Sequence, residues 1–241
     1  MGEAWRALVD RRMDGAAARI EDEVPAGAAL VDLVQAMADR PIAIGQIGQT
    51  LDGRIATVSG HSHYVNGEGA LDHLHRLRAL VDAVVIGAAT LAMDDPALTT
   101  RRVPGPNPVR VVLDPSGRAL ADRKLFTDGQ APTLVVGPYA PGHSERLDCG
   151  ASPGRVLAAL RERGLRSVLI EGGPRTLSAF LQANTLDRLH LLVAPKILGS
   201  GKPGILLPEA ATMAAALTPH VTTYRLSEDL LFDCRFTSRE A

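Results

Sequence analysis

Two apolar patterns alternate along this chain. Short continuous runs rich in Val, Ile and Leu fall at residues 42–48, 83–86, 109–113, 133–136, 167–170 and 189–194. Runs of this kind suit strands covered on both faces, as in a parallel sheet. Between them lie stretches whose apolar residues recur three and four positions apart, the spacing of a helix that buries one face. This spacing predicts a helix over 66–80, with Asn66 as its cap and Leu71, Leu74, Leu77 and Leu80 as its stripe. It predicts a second over 156–163, ended by Gly164, and a third from Pro174 carrying Leu177, Phe180 and Leu181. Polar or glycine-rich loops are expected through Asp94-Asp95-Pro96, over 137–152 and over 195–208. Residues 221–226 and 230–236 read as a terminal antiparallel pair turning near Ser227-Glu228-Asp229. The expected fold is therefore α/β, with a mostly parallel central sheet and an antiparallel C-terminal edge.

Before Pro41 the pattern changes to helix alone. Trp5, Leu8, Val9 and Ile20 mark one helix within 4–21, and Leu30, Leu33, Val34 and Met37 mark another over 28–39. Residues 1–40 are expected to form a helical appendage and residues 41–241 the main domain.

Composition narrows the function classes. The chain has 241 residues, 46% of them hydrophobic, so it can bury a sizeable core. A formal net charge of −1 without long basic runs argues against a nucleic-acid partner held through phosphates. No apolar run approaches the roughly 18 residues of a membrane span, and no secretion signal is visible, so a cytoplasmic protein is expected. Cys149 and Cys234 stand apart and are expected to be reduced. His61, His63, His73 and His75 resemble a metal cluster only superficially, because the first two lie in a loop and the last two point to different sides of a helix. No metal is expected.

One stretch concentrates the chemistry. Val168-Leu169-Ile170 reads as a strand that stops at Glu171, followed by Gly172-Gly173-Pro174 and a helix. Glycines allow a bound group to approach the backbone, and the first free N–H groups of a helix favour an anion such as a pyrophosphate. Glu171 would stand at the carboxyl end of its strand, where open α/β sheets bind ligands, and is a weak catalytic candidate. Arg78 and Arg101 are candidates for a phosphate, since a guanidinium fork matches phosphate oxygens. Gly87-Ala88-Ala89-Thr90 repeats the pattern of small residues after a strand and would approach the same ligand. Asp52, in Thr50-Leu51-Asp52-Gly53-Arg54-Ile55-Ala56, reads first as an aspartate bonded to its own turn.

Taken together, the stretch from Thr50 to Ala56, Gly87 to Thr90, Asp94-Asp95-Pro96-Ala97-Leu98-Thr99, Glu171-Gly172-Gly173-Pro174 and Ala194-Pro195-Lys196-Ile197-Leu198-Gly199 resemble the reductase domain of the bifunctional riboflavin-biosynthesis deaminase–reductase. The resemblance covers about residues 41 to 236. It implies a dihydrofolate-reductase-like three-layer fold, NADPH as hydride donor, and a phosphoribosylaminopyrimidine whose ribosyl group is reduced to ribityl. By the same resemblance, Ser62, Arg78, Leu98, Arg101 and Glu171 meet the substrate. Gly48, Tyr64, Thr90, Asp94 and Gly173 to Ala179, thus Pro174, Arg175, Thr176 and Leu177, meet the cofactor together with Gly172. Pro115 and Ser116 fall at its adenosine end, where Ser116 and Arg118 would meet a 2′-phosphate. A homodimer is implied. The zinc motifs of the family's deaminase half, H-x-E and P-C-x-x-C, do not occur here, so a standalone reductase is expected. Two positions depart from the family: Gln46 replaces a usual lysine and Tyr64 a usual tryptophan. They keep open a reductase of the same fold acting on a dihydropterin or another pyrimidine, and a nucleotide-binding protein without catalysis.

Overall fold

The computed structural model describes residues 2–10, 20–21, 24–62 and 65–236. Its centre is β1 (Ile42–Thr50), flanked by β7 (Ser167–Ile170) on one side and β8 (Arg188–Ala194) on the other, both parallel to it. Beyond β7 the sheet continues in parallel through β3 (Ala83–Gly87), β4 (Val109–Leu113), β5 (Thr133–Val136) and the short β6 (Glu145–Arg146). Beyond β8 come β11 (Asp229–Arg235) and β10 (His220–Leu226), each antiparallel to its neighbour. The nine-stranded sheet is thus mostly parallel, with an antiparallel C-terminal edge.

The parallel strands were apolar on both sides because both faces are covered. Alternate residues of one strand enter different cores: Val84 and Ile86 join one cluster, Ala83 and Val85 the other. The first cluster is closed by α1 (Gly2–Val9), α2 (Gly27–Asp39), α3 (Glu68–Leu80) and α4 (Ala88–Asp94), and the second by α6 (Pro153–Glu162) and α7 (Pro174–Gln182). The remaining helix, α5 (Lys124–Thr127), adds Leu125 and Phe126 to the first cluster. Trp5, Leu8, Leu30 and Leu33 lie in the same cluster as Ile42 and Ile44, and Trp5 Nε1 donates to Pro104 O at 2.6 Å. The N-terminal helices therefore share a core with the sheet. Residues 11–19, part of the expected first helix, lie outside the described residues.

Four local expectations need correction. Asn66 does not cap α3, which begins at Glu68 after Gly67, with no side-chain cap. The segment leading to Asp94-Asp95-Pro96 is not all loop, because Ala88–Asp94 forms α4 directly after β3. Residues 137–152 contain β6, which an exposed two-residue pairing at the sheet edge could not signal by apolar content. Finally, β2 (Arg54–Thr57) pairs antiparallel with β9 (Gly201–Pro203), a ribbon outside the main sheet. These short segments lie in turn-rich sequence, so their pairing is set by the chain geometry around them rather than by periodicity.

Polar groups also enter the core. His73 of α3 and His190 of β8 are fully buried, with His73 Nε2 and His190 Nδ1 2.9 Å apart, and His190 Nε2 lies 3.5 Å from Asp233 Oδ1. Arg188 pairs with Asp233 and Asp32, so the antiparallel edge is tied to α2 by charge.

Candidate active site

Three strand ends meet at the candidate site. β1 ends at Thr50, β3 at Gly87 and β7 at Ile170, and the pairing continues one residue further through Glu171 N donating to Val85 O at 3.0 Å. A cavity of about 550 Å³ opens above them, between α3, α4 and the start of α7. From the sequence-derived set, Gly48, Ser62, Thr90, Asp94, Glu171, Gly172 and Gly173 line it, together with Gln46. A second cavity of about 490 Å³ lies at the opposite, amino-terminal ends of the strands, beside Arg40, Leu157 and Asp187, and gathers none of these residues.

Glu171 is the charged floor of the first cavity. Arg78 Nε donates to its Oε1 and Arg78 Nη2 to its Oε2, both at 2.6 Å, and both side chains are only 7% exposed. Arg78 Nη1 donates to Thr99 O at 3.1 Å. This geometry corrects the expectation that Arg78 offers an open fork to a phosphate: its fork is occupied by the carboxyl group of Glu171, which lines the cavity. Arg101 is exposed, outside the cavity lining, and makes no ion pair or hydrogen bond among the described residues. Leu98, between them in the chain, is buried with a left-handed φ of 53°, after Asp95 at 39°. Such conformations are uncommon for these residue types and are kept only where surrounding packing enforces them.

The glycine turn is held by threonines. Gly173 N donates to Thr90 Oγ1 at 2.8 Å, tying α7 to α4. A Cβ on Gly172 would stand 2.4 Å from Thr176 Cβ, and one on Gly87 2.5 Å from Thr176 Oγ1, so only glycine fits at either place. Among the described residues, no hydrogen bond engages the N–H groups of Gly172, Arg175 or Thr176. These donors, with the positive end of the helix dipole, make an anion cradle. Arg175 is exposed beside them, where a basic side chain opposes the dipole until an anion is present. The Leu177 side chain points the other way, into the core against Gly45.

Asp52 has a structural role at the rim. Its carboxylate accepts from Thr50 Oγ1 at 2.6 Å, Leu198 N at 3.1 Å and Gly199 N at 2.7 Å. The Thr50 hydroxyl and the backbone donors beyond it lower the Asp52 pKa to about 2. The turn after β1 is thereby clamped to the loop after β8. Ser116 and Arg118 follow β4 and are exposed, one strand beyond β3 and outside the cavity lining. Tyr64 and His63 lie outside the described residues. Among the described residues, no three His, Cys, Asp or Glu side chains are placed to hold a metal, and no helix is long and apolar enough to cross a membrane.

The lining also holds residues that the sequence did not assign to the site, among them Asn66, the Leu71 and Leu74 edge of α3, and Met93. Leu71 was assigned to the apolar stripe, yet it is partly exposed toward the cavity while Ala70 and His73 take the buried positions. The only hint was the composition of α3, which holds too many charged and histidine residues for a simple stripe.

A family model described as the RibD C-terminal domain matches residues 41–231. The chain is 32% identical over 212 residues to the 2,5-diamino-6-ribosylamino-4(3H)-pyrimidinone 5′-phosphate reductase of Methanothermobacter thermautotrophicus, covering 80% of this chain and 97% of that protein. It is 35% identical over 173 residues to the riboflavin biosynthesis protein RibD of Aquifex aeolicus, covering 68% of this chain and 49% of the relative. Among solved structures, the deaminase/reductase of Thermotoga maritima superposes with a TM-score of 0.73 at 28% identity, covering 87% of this chain and 61% of that one. The chain thus spans about half the length of the Aquifex relative and nearly all of the Methanothermobacter one. Its fold is the fold of the reductase part of this Thermotoga maritima protein.

Proposed function

Because the chain belongs to the RibD C-terminal domain family, we propose that it is a reductase that uses NADPH to convert the ribosyl group of a 5-amino-6-(5-phosphoribosylamino)pyrimidine to ribityl in riboflavin biosynthesis. The observation that carries this reading is the meeting, on one cavity, of a buried carboxylate held by Arg78 with a glycine turn in which the N–H groups of Gly172, Arg175 and Thr176 make no hydrogen bond among the described residues. The first suits the hydrogen-bonding groups of a pyrimidine or sugar, and the second suits a pyrophosphate.

The residues present fit a dinucleotide. A Cβ at Gly172 or Gly87 would collide with Thr176, so the glycines let the start of α7 pack close to the strand ends, and Gly172 and Gly173 line the cavity there. In this reading Gly172, Gly173, Pro174, Arg175 and Thr176 hold the pyrophosphate, and the backbone of Leu177 continues the same turn. Gly48, Tyr64, Thr90 and Asp94 line the nicotinamide side, and Ser116 with Arg118 receives a 2′-phosphate. Ser62, Leu98, Arg101 and Glu171 meet the substrate, with Arg101 as the phosphate ligand. When bound, the reduced nicotinamide supplies hydride. The chain's own task is then to orient two partners and exclude water, and Glu171 accepts hydrogen bonds from ring N–H or sugar hydroxyl groups without needing to act as a nucleophile. The division of the chain at Pro41 and assembly as a homodimer belong to the same proposal.

Gln46 favours a second reading. A neutral amide lines the cavity where the resembling family usually carries lysine, which removes positive charge near a substrate and admits a dihydropterin or another pyrimidine. The test is to offer the deaminated pyrimidine, its amino precursor and a dihydropterin separately with NADPH and to follow cofactor absorbance. Oxidation with the phosphoribosylaminopyrimidine is expected. Oxidation with the dihydropterin alone would move the assignment to the second reading, and none with any of them would indicate a binding protein. Thermal stabilisation should be greater with NADPH than with NADH, and Gly173→Val, which meets Thr90 Oγ1 at 2.9 Å from its Cβ, should weaken cofactor binding in a folded protein.

A further inference from the structure

The loop that carries Arg101 is closed on itself and held from outside. Thr100 N donates to Asn107 Oδ1 at 2.9 Å, and Thr100 Oγ1 lies within 3.2 Å of Gly105 O, Pro106 O and Asn107 Oδ1, so residues 100–107 form a closed loop. Asn107 Nδ2 in turn donates to Gln130 O at 3.2 Å, fixing the closed end to the segment before β5. Toward α3, Arg78 Nη1 donates to Thr99 O and Arg102 pairs with Asp72 and Glu68. Gly105, at φ 155°, packs so close to α3 that a Cβ there would stand 2.6 Å from that of Ala79. A further tie comes from α1, where Trp5 Nε1 donates to Pro104 O at 2.6 Å. Trp5 is 4% exposed, and a buried indole N–H needs an acceptor. It finds one 99 positions along the chain, in the loop of the proposed phosphate ligand. Yet α1 lies outside residues 41–231, the part matched by the family model.

We propose that Trp5 is a positioning residue of the substrate site: through Pro104 it fixes the loop that sets Arg101 where its guanidinium meets the substrate phosphate. The N-terminal helix then takes part in substrate recognition and not in stability alone. The neighbours of Arg101 are both bonded, Thr100 to Asn107 and Arg102 to Glu68 and Asp72, while Arg101 itself makes no hydrogen bond or ion pair among the described residues. What places its guanidinium is therefore the course of the backbone, and Trp5 holds that course from α1. A loop already fixed loses less conformational freedom when its arginine binds, which tightens binding without any new contact to the ligand.

The inference rests on the reading of Arg101 as the phosphate ligand, and the test separates the two. KM is measured for the phosphoribosylaminopyrimidine and for the same compound without its phosphate, in the wild type, Arg101→Ala, Trp5→Phe and the double variant, with NADPH affinity beside them. Trp5→Phe keeps an aromatic ring in the core and removes only the donor. An unchanged KM for the phosphorylated compound in Arg101→Ala overturns the phosphate reading and the inference with it. If Arg101→Ala raises that KM and Trp5→Phe does not, the reading stands and the inference is overturned. The expected result is a rise of roughly threefold to tenfold in Trp5→Phe for the phosphorylated compound alone, the worth of one hydrogen bond. NADPH affinity is then kept, and adding Trp5→Phe to Arg101→Ala brings no further rise, since the two act through one contact. An equal rise for both compounds, or a loss of NADPH affinity alongside, marks a helix that only stabilises the fold and overturns the proposal. Should Trp5→Phe fail to fold, the wild type decides, because Trp5 is the single tryptophan of the chain. Its emission is expected to shift on saturation with ribose 5-phosphate and not with ribose, and the absence of a shift overturns the proposal.

Discussion

Arg78 and Arg110 are both buried and both paired with a carboxylate, yet they stand in regions built for different ends. Arg110, in the middle of β4, donates from Nε to Thr133 Oγ1, from Nη1 to both oxygens of Asp128, and from Nη2 to Leu125 O and Ala131 O. Its partner Asp128 also accepts from Gln130 N. Every acceptor bonded to this guanidinium is protein, and Arg110 lines neither of the two cavities described above. Arg78 makes one bond from each nitrogen, and its partner Glu171 lines the cavity. A charge pair closed on all sides is a strut for the fold. One whose carboxyl group faces open space is a device for holding that group aimed, ready for a ligand.

Breaking each pair should separate the two roles. Arg110→Met removes a buried cation and leaves Asp128 without its counter-charge and Ala131 O without its donor, and we expect a loss of about 3–5 kcal/mol in unfolding free energy. Urea denaturation measures it. A loss under about 1 kcal/mol would show that the β4–β5 region relaxes around the change and is no strut.

Acid should act next most strongly, through buried polar groups without an opposite charge. Burial lowers the His73 pKa well below its ordinary value, helped by the neighbouring His190 and Arg76. Burial likewise lowers that of His75 to about 4, assisted by Arg78, Arg101 and Arg102 and opposed by Asp72. The unfolded chain therefore binds more protons than the folded one below the ordinary histidine value of 6.5, so stability falls as pH drops below it. Each histidine costs about 1.4 kcal/mol per pH unit, or about 3 kcal/mol for the two at one unit below. Nothing of this term operates above pH 7. Unfolding curves at pH 7.5 and 5.5 check it, and His73→Gln should reduce the difference by about half.

Arg78→Lys keeps the charge beside Glu171 and removes the two-pronged fork. The expected result is a folded enzyme with kcat/KM lowered by roughly one to two orders of magnitude, the worth of about 1.5–3 kcal/mol for a charged hydrogen bond. An unchanged kcat/KM would show that Glu171 needs only a nearby positive charge.

How much of this was legible beforehand follows the same contrast. The parallel strands, the glycine turn and Glu171 stood out because each is written in contiguous residues: an apolar run, then a carboxylate, then Gly172-Gly173. The resemblance added positions that local patterns do not mark, such as Gly48 and Asp94. What stayed hidden was pairing between distant segments. Arg110 sits in an apolar run and gave no sign that Thr133, Asp128 and Ala131 would surround it. Arg78 was taken for a phosphate ligand because Glu171, 93 positions away, cannot be assigned to it by spacing. Asn66 was taken for a helix cap, the commoner use of asparagine before a helix, since the space over Gly48, which its Oδ1 fills, exists only once β1 and α3 are packed together.

The smallest expected effect sharpens the contrast at the surface. Arg101 is exposed and has no ion-pair or hydrogen-bond partner among the described residues, unlike Arg102 beside it, which pairs with Glu68 and Asp72. If Arg101 is the phosphate ligand, Arg101→Ala leaves unfolding at neutral pH unchanged and raises the substrate KM by roughly tenfold, the lower end for a charged contact that solvent can screen. The rise should shrink as salt is added, because screening already weakens the wild-type contact. The same substitution removes one of the positive charges that depress His75, so the variant should lose slightly less stability at pH 5.5 than the wild type does. Steady-state kinetics at two ionic strengths and unfolding at two pH values measure both effects on one protein. A KM that does not move at low salt would make Arg101 an ordinary surface residue and leave the substrate phosphate to be sought elsewhere along the cavity rim.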